Sequence, residues 1–245
     1  MPMVGHASGL DIAGAVLLLL WAAAMWLAVG GLKVANRGHA RRWVYGATVV
    51  VIVVGVVGQI GHLTEHVAQV GYWLGHPNAP AWMTPWGTGL ALGFGHLAAT
   101  TKPTLGMEIL HFIGNLIFLA GMAAVMVITS RNRRTRTRKW AKMGVWMQGI
   151  HGLEHLSLML SVWLGAKQAI GLSTWFGLLA PGPGLTTYRV WWHFIANVIG
   201  SIIFAITLYH LWRERREIRA TYQGVAVASV PEQRAEPTAS VTTSR

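Results

Sequence analysis

Two segments of the sequence carry glutamine, histidine, glutamate and histidine in the same order and at the same spacing. Residues 59–66 read QIGHLTEH and residues 148–155 read QGIHGLEH. Side chains three and four positions apart lie on one face of a helix, so each segment predicts a face with two imidazoles, a carboxylate and an amide. The residues are Gln59, His62, Glu65 and His66 in the first segment, and Gln148, His151, Glu154 and His155 in the second.

A second motif also occurs twice, each time one helix further along the chain. Residues 111–115 read HFIGN and residues 193–197 read HFIAN. The histidine and the asparagine are four positions apart and therefore share a helix face. Glu108 extends this face in the first copy, whereas Val190 occupies the matching position in the second. The order of the motifs predicts two copies of one helical hairpin, with an asymmetry at Glu108.

These residue types predict metal binding. The chain has no cysteine, which excludes thiolate ligands, iron–sulfur clusters and disulfides. Histidine and glutamate that face the interior of a four-helix bundle are typical of di-iron and di-manganese centres, and such ligands also suit zinc and copper. The candidate ligands exceed the needs of one ion, so we expect two metal ions, with iron favoured. The predicted ligands are His62, Glu65, His66, Glu108, His111, His151, Glu154, His155 and His193.

The three glutamates lie within apolar segments, where an ionisable side chain is costly unless a partner compensates its charge. A bound cation would supply that compensation, so we predict Glu65, Glu108 and Glu154 as catalytic groups as well as ligands. Four amides are predicted to contribute to cofactor binding by orienting the imidazoles: Gln59, Asn115, Gln148 and Asn197. The alternative is a buried polar network that only holds the helices together.

Four functions follow from such a cluster. The first is a di-iron oxidoreductase that acts on an apolar or lipid-like substrate and receives electrons from a donor protein. The second is electron transfer through haem b held between two histidines. The third is zinc-dependent hydrolysis, because HxxEH also occurs in a class of zinc proteases. The fourth is a metal transporter or sensor, which the apolar stretches 47–57 and 116–128 disfavour.

The composition predicts a membrane protein. Of the 245 residues, 53% are hydrophobic and only 11% are charged, and the apolar residues form long uninterrupted runs. The net charge is +12, but the basic residues flank the apolar runs. We therefore attribute these charges to membrane topology and to contact with membrane lipid, and we expect no nucleic-acid partner.

The apolar runs predict an all-α fold with five transmembrane helices in a single domain, residues 1–222. The first helix covers about residues 12–32, and the duplicated four-helix bundle comprises a first repeat of about 43–130 and a second of about 136–212. The segments between the helices of each repeat are expected to be loops. Lysine and arginine concentrate after the first and third helices and after the fifth, which predicts a cell-membrane protein with its N-terminus outside and its C-terminus in the cytoplasm. Residues 223–245 are expected to form a disordered cytoplasmic tail.

Overall fold

The computed structural model describes residues 6–38, 41–77, 79, 82–98 and 102–223, and this part of the chain contains helices and no strand. The predicted all-α class is therefore confirmed. Apart from Gln223, the predicted disordered tail lies outside the described residues. The helices are α1 (Gly9–Ala35), α2 (Arg42–Gly75), α3 (Pro85–Leu97), α4 (Pro103–Ile128), α5 (Arg136–Trp163), a 3₁₀ helix (Leu172–Gly177) and α6 (Pro183–Ala220).

Four of the described helices are long and apolar enough to cross a membrane: α1, α2, α4 and α6. The remaining predicted span, the fourth along the chain, corresponds to α5, a helix of 28 residues that does not reach the same hydropathy. Its first turns carry Arg136, Arg138 and Lys139, and its second half carries the polar HGLEH motif. Four helices with the length and hydropathy of membrane spans are thus confirmed, whereas a count of five is not.

Helix α4 forms the centre of the bundle, and α1, α2, α3 and α5 all pack against it. Within its most apolar stretch 67% of the residues are buried, against 22% in α1. The half of the bundle opposite the histidines is filled by apolar side chains, among them Phe118, Met122 and Phe204. We call the end of the bundle at Lys33 and Arg131 the basic end, and the opposite end, near α3 and the 3₁₀ helix, the loop end.

Helices α2 and α4 cross at two glycines. A Cβ atom added to Gly55 would lie 2.7 Å from the Cα atom of Gly121, which is far inside van der Waals contact. Small residues at such a crossing let two backbones approach closely. The crossing fixes the spacing of the two helices that carry the first three histidines of the cluster.

Helix α3 lies in a segment that the sequence predicts as a loop. Its first turn is capped by Thr84, whose hydroxyl accepts a hydrogen bond from the Gly87 amide at 3.2 Å, and Pro85 occupies the first helical position. Four of the thirteen residues of α3 are glycines, and three of these lie in the stretch GLALGFG. They give this segment a poor intrinsic helix propensity. Its packing against α1 and α4 stabilises the helix, and that packing is a tertiary effect.

Candidate metal centre

The six histidines predicted as ligands lie together toward the loop end. His62 and His66 come from α2, and their ring centroids are 4.8 Å apart. In the second motif the rings of His151 and His155 are also 4.8 Å apart. Four further contacts join α4 and α6 to these pairs: His62–His111 at 5.9 Å, His66–His111 at 5.4 Å, His155–His193 at 4.9 Å and His151–His193 at 6.1 Å.

The two groups of three histidines also touch each other. The rings of His66 and His193 stack with centroids 5.9 Å apart and an interplanar angle of 6°. The rings of His111 and His155 stack at 5.4 Å and 10°. Each contact pairs a histidine of one HxxEH motif with the histidine of the other group's HFIxN motif. The six imidazoles therefore form one continuous cluster.

Three of these side chains already converge as metal ligands do. One nitrogen each from His62, His66 and His111 lies within 4.8 Å of the others. Among the described residues, only this group of three or more potential ligands meets such a distance. All of its members are imidazoles, and it includes no carboxylate. Three histidines are a common ligand set for a divalent transition metal.

Hydrogen bonds to the backbone fix the protons of two imidazoles. The Nδ1 atom of His111 lies 2.8 Å from the Met107 carbonyl oxygen, and that of His193 lies 2.8 Å from the Arg189 carbonyl oxygen. A carbonyl oxygen can only accept, so Nδ1 must carry the proton in both rings. The Nε2 atoms then hold lone pairs, which is the state of a histidine that binds a metal while its other nitrogen is oriented by a hydrogen bond.

His66 is oriented in the same way by a side chain. Its Nδ1 atom lies 3.0 Å from the Oε1 atom of Gln69, and the amide nitrogen of Gln69 donates to Glu65 at 3.3 Å. Since that amide nitrogen faces the carboxylate, Oε1 is the atom left to accept from His66. The Nε2 lone pair of His66 then points at Nε2 of His62, 3.0 Å away.

Several polar atoms of the cluster are buried without a hydrogen-bond partner. Buried polar groups in folded proteins are normally paired, because an unpaired one costs about 1–3 kcal/mol. A network whose only task was to hold helices together would pair these atoms with one another. The unpaired atoms are His62 Nδ1, Glu108 Oε2, His151 Nε2, His155 Nδ1, His155 Nε2 and His193 Nε2.

The four predicted amides lie next to the cluster and connect its helices. Asn115 and Asn197 each donate to the carbonyl oxygen of the histidine four positions earlier, at 2.9 Å in both cases. Gln148 donates to the Asn115 side chain, and Gln59 donates to that of Asn197 at 3.5 Å. Among their hydrogen bonds none reaches an imidazole nitrogen of the described residues. They hold the helix backbones that carry His111 and His193.

The carboxylates of Glu65 and Glu154 bind the outer segments. Glu65 accepts hydrogen bonds from the amide of Thr84, at 2.9 Å, and from its hydroxyl, and so holds the start of α3. Glu154 accepts from the amides of Leu172, at 2.6 Å, and Ser173, at 2.8 Å, at the start of the 3₁₀ helix. Their role as ligands and catalytic groups stays a prediction, but each oxygen already has a donor outside the histidines.

A glycine faces each of these two carboxylates. A Cβ atom on Gly87 would lie 3.0 Å from the Glu65 carboxylate, and one on Gly171 would lie 2.8 Å from Glu154. The absence of a side chain lets each outer segment approach its glutamate closely. Both glutamates thereby close the loop end over the histidines.

Glu108 has an arginine partner that the sequence analysis did not identify. Nη2 of Arg189 lies 2.6 Å from Oε1 of Glu108, whose side chain is only 1% exposed. The other oxygen, Oε2, lies 3.9 Å from Nδ1 of His155. Arg189 lies in α6, four positions before His193 and on the same helix face. That spacing is the signal that could have identified it.

An apolar cavity of about 270 Å³ leads to the cluster from the side of α1. Three residues of the histidine motifs line this cavity: His62, His111 and Glu65. The remaining wall is almost wholly apolar and comes from α1, α2, α3 and α4: Leu18, Trp21, Val57, Gly58, Gly61, Trp86, Leu90, Leu110, Gly114 and Ile117.

Comparison with known proteins identifies the family. Residues 1–243 match a family of unknown function, DUF6008, and the chain belongs to that family. No curated protein and no solved structure matches the chain significantly. The geometry of the histidine cluster is therefore the basis on which a function can be argued.

Proposed function

We propose that this member of the DUF6008 family is an integral membrane metalloprotein whose histidine cluster holds two metal ions, and that it is a di-iron-type oxidoreductase acting on an apolar or lipid-like substrate. The observation that carries the proposal is the set of buried imidazole nitrogens that have no hydrogen-bond partner although their rings belong to one continuous cluster. Ligand atoms without hydrogen bonds are what a metal site requires, and a purely structural network would not leave them unpaired.

The proposed ligands form two groups. His62, His66 and His111 already converge within 4.8 Å and would hold one ion. The second ion would be held by His151, His155 and His193, with Glu108 beside them. Arg189 fixes one oxygen of Glu108 and leaves the other toward His155, so Arg189 acts as a positioning residue. Bound iron would supply the capacity to exchange electrons with substrate and with an external donor protein.

The matched contacts support a duplicated hairpin as the framework of this centre. The pair of histidines within each HxxEH motif is 4.8 Å apart in both copies, and the two stacked pairs join equivalent residues in reciprocal fashion. Each copy's glutamine bonds the other copy's asparagine, and each copy's glutamate binds its own outer segment. A parallel repeat about an axis along the bundle would produce all of these pairings.

The cavity supports an apolar substrate. Its lining is hydrophobic except at the end where His62 and His111 stand, so an elongated apolar molecule would place its reacting part against the imidazoles. The wall from α1 includes Leu18 and Trp21, and among the described helices none of the second repeat corresponds to α1. Substrate access is therefore proposed at the first of the two metal positions.

The structure supports the alternatives less well. The imidazoles contact one another at centroid distances of 4.8–6.1 Å in one cluster, which leaves no slot for a porphyrin between them. Glu65 and Glu154 are bound to the outer segments and are poorly placed as bases for zinc-dependent hydrolysis. Apolar packing around Phe118 and Phe204 blocks the path that a transported ion would need.

We further propose that α5 crosses the cell membrane as the fifth span, with the loop end outside and the basic end in the cytoplasm. Helix α5 packs against both α4 and α6, which are apolar spans. Because the chain has no cysteine, a single introduced cysteine reports on which side of the membrane its position lies. A membrane-impermeant maleimide added to intact cells should label Lys167→Cys, and should label Lys139→Cys and Gln223→Cys only after lysis. Labelling of Lys139→Cys in intact cells would contradict a spanning α5.

Metal content tests the proposed centre. The full chain, purified gently in detergent, should contain roughly two iron ions per molecule by elemental analysis. The His66→Gln variant removes a ligand from the converged group and should lose at least one ion per chain. His96→Gln is the matched control, because His96 is exposed on α3 and lies outside the cluster.

The outcomes separate the alternatives. Colourless protein with one or two zinc ions would favour hydrolysis, and a Soret band would show haem. The Glu154→Ala variant should keep its metal, because its carboxylate binds the 3₁₀ helix. Folded wild-type protein that binds no metal in stoichiometric amount, even after addition of iron(II), would overturn the proposal.

A further inference from the structure

A second cavity lies at the basic end, between α1 and α4, and it is distinct from the histidine cluster. Its volume is about 720 Å³, larger than that of the apolar cavity. One wall is apolar and includes Trp26, Val29 and Met126. Its rim toward the basic end carries five cationic side chains: Lys33, Arg37, Arg131, Arg133 and Arg138.

The cations of this rim are not neutralised by the described part of the chain. No aspartate or glutamate lines the cavity. The two described acidic residues at this end are engaged elsewhere: Glu217 binds Asn132, and Glu214 accepts from the backbone amides of Arg136 and Thr137. Five like charges around one cavity repel one another, so a bound anion that fits the cavity would stabilise this arrangement.

Two of the four arginines of this rim are held in place by the protein itself. Arg131 donates to the side chain and the carbonyl oxygen of Asn36, at 2.8 and 3.0 Å, and Arg138 donates to the Met126 carbonyl oxygen at 3.0 Å. These bonds fix the guanidinium groups at the border between the apolar wall and the charged rim. The side chains of Lys33, Arg37 and Arg133 form no hydrogen bond or ion pair with the described residues, and both Arg37 and Arg133 are exposed.

We infer that this cavity binds one anionic phospholipid, with its phosphate among the arginines and its acyl chains along the wall formed by Trp26, Val29 and Met126. The apolar wall belongs to α1 and α4, both of which are apolar enough to span a membrane. Basic pockets between membrane helices are a recognised form of lipid headgroup site. The combination of charged rim and apolar wall favours a lipid over free phosphate, which would leave the wall uncovered.

Quenching of tryptophan fluorescence tests the inference locally. The full chain in neutral detergent is titrated with phosphatidylglycerol carrying brominated acyl chains, which quench only a tryptophan that they touch. We expect a saturable quenching component that disappears in Trp26→Phe. Brominated phosphatidylcholine should not produce this component at the same concentration, because its headgroup carries no net charge.

Paired charge variants separate the cavity from the general positive charge of this end. Arg37→Gln with Arg133→Gln should weaken phosphatidylglycerol binding about thirtyfold, since each cation near an anionic lipid contributes about 1 kcal/mol. Arg134→Gln with Lys139→Gln removes the same charge from exposed residues outside the cavity and should change binding less than threefold. Gel filtration and circular dichroism establish that both double variants are folded.

Three results would overturn the inference. One is equal quenching by the phosphatidylcholine probe, and another is an equal loss of affinity in the two double variants. The third is displacement of the brominated lipid by millimolar inorganic phosphate, which would identify a free-anion site. Each result is independent of the metal centre, because no residue of the cavity belongs to the histidine cluster.

Discussion

Replacing Arg189 with methionine is expected to destabilise the protein by about 3–5 kcal/mol, because it leaves the Glu108 carboxylate buried without its cation. Glu108 is 1% exposed and its only hydrogen bond among the described residues comes from Arg189, at 2.6 Å. Methionine keeps much of the volume of arginine, so the loss reports the charge and not a cavity. Reversible unfolding in mixed detergent measures the change in the free energy of unfolding.

The matched control removes both charges. Arg189→Met combined with Glu108→Met should recover most of the lost stability, since replacement of a whole buried ion pair is often neutral or stabilising. Metal content then distinguishes a structural pair from a positioning one. The double variant should be stable yet lose ions from the second position, because Glu108 is a proposed ligand there. A stable double variant with full metal content would show that the pair serves only folding.

Replacing Gly55 with alanine is expected to lower the free energy of unfolding by about 1–3 kcal/mol. The new methyl group would lie 2.7 Å from the Cα atom of Gly121, and backbone cannot give way as a flexible side chain can. Helices α2 and α4 would have to separate, and they carry the converged histidines His62, His66 and His111. The variant should therefore also bind the first metal ion more weakly.

A glycine of the same helix provides the control for this substitution. Gly46 has no atom within 4 Å of its would-be Cβ, so Gly46→Ala meets no obstacle. Alanine has the higher helix propensity, by about 1 kcal/mol, so this variant should be as stable as the wild type or more stable. Thermal unfolding of the two variants side by side compares their stabilities, and Gly55→Ala should unfold at the lower temperature. Equal stabilities would mean that the crossing at Gly55 tolerates a wider spacing.

The sequence was sufficient to predict the histidines because their signal is local. Spacings of three and four residues place side chains on one helix face in any helix, whatever packs against it. Long apolar runs predict membrane helices for a similar reason, since each span is a contiguous property of the chain. The all-helical fold and the helices long and apolar enough to span a membrane followed from these patterns, as did the residues of the cluster.

Features that depend on two distant segments could not be read in this way. Helix α3 was predicted as a loop, because its glycines lower helix propensity and its stabilising contacts lie on α1 and α4. The sequence comparison matched Glu108 with Val190 and did not predict that the neighbouring Arg189 supplies the countercharge. The four-residue spacing from His193 places Arg189 on the cluster face of α6, but only the tertiary structure brings Glu108 of α4 within reach of its guanidinium.

The sequence predicts all the duplicated His and Glu residues as metal ligands. In the tertiary structure the histidines contact one another, whereas two of the glutamates bind the outer segments. The residue types, their spacing and their number were fixed by the chain alone, because helix periodicity determines which side chains share a face. The tertiary structure decided that Glu65 and Glu154 bind the outer segments. It also decided that the six imidazoles form one cluster, in which several imidazole nitrogens and one oxygen of Glu108 are unpaired. The physical reason is that a carboxylate binds the nearest strong donors, and which backbone amides come near is decided by how the outer segments fold over the bundle.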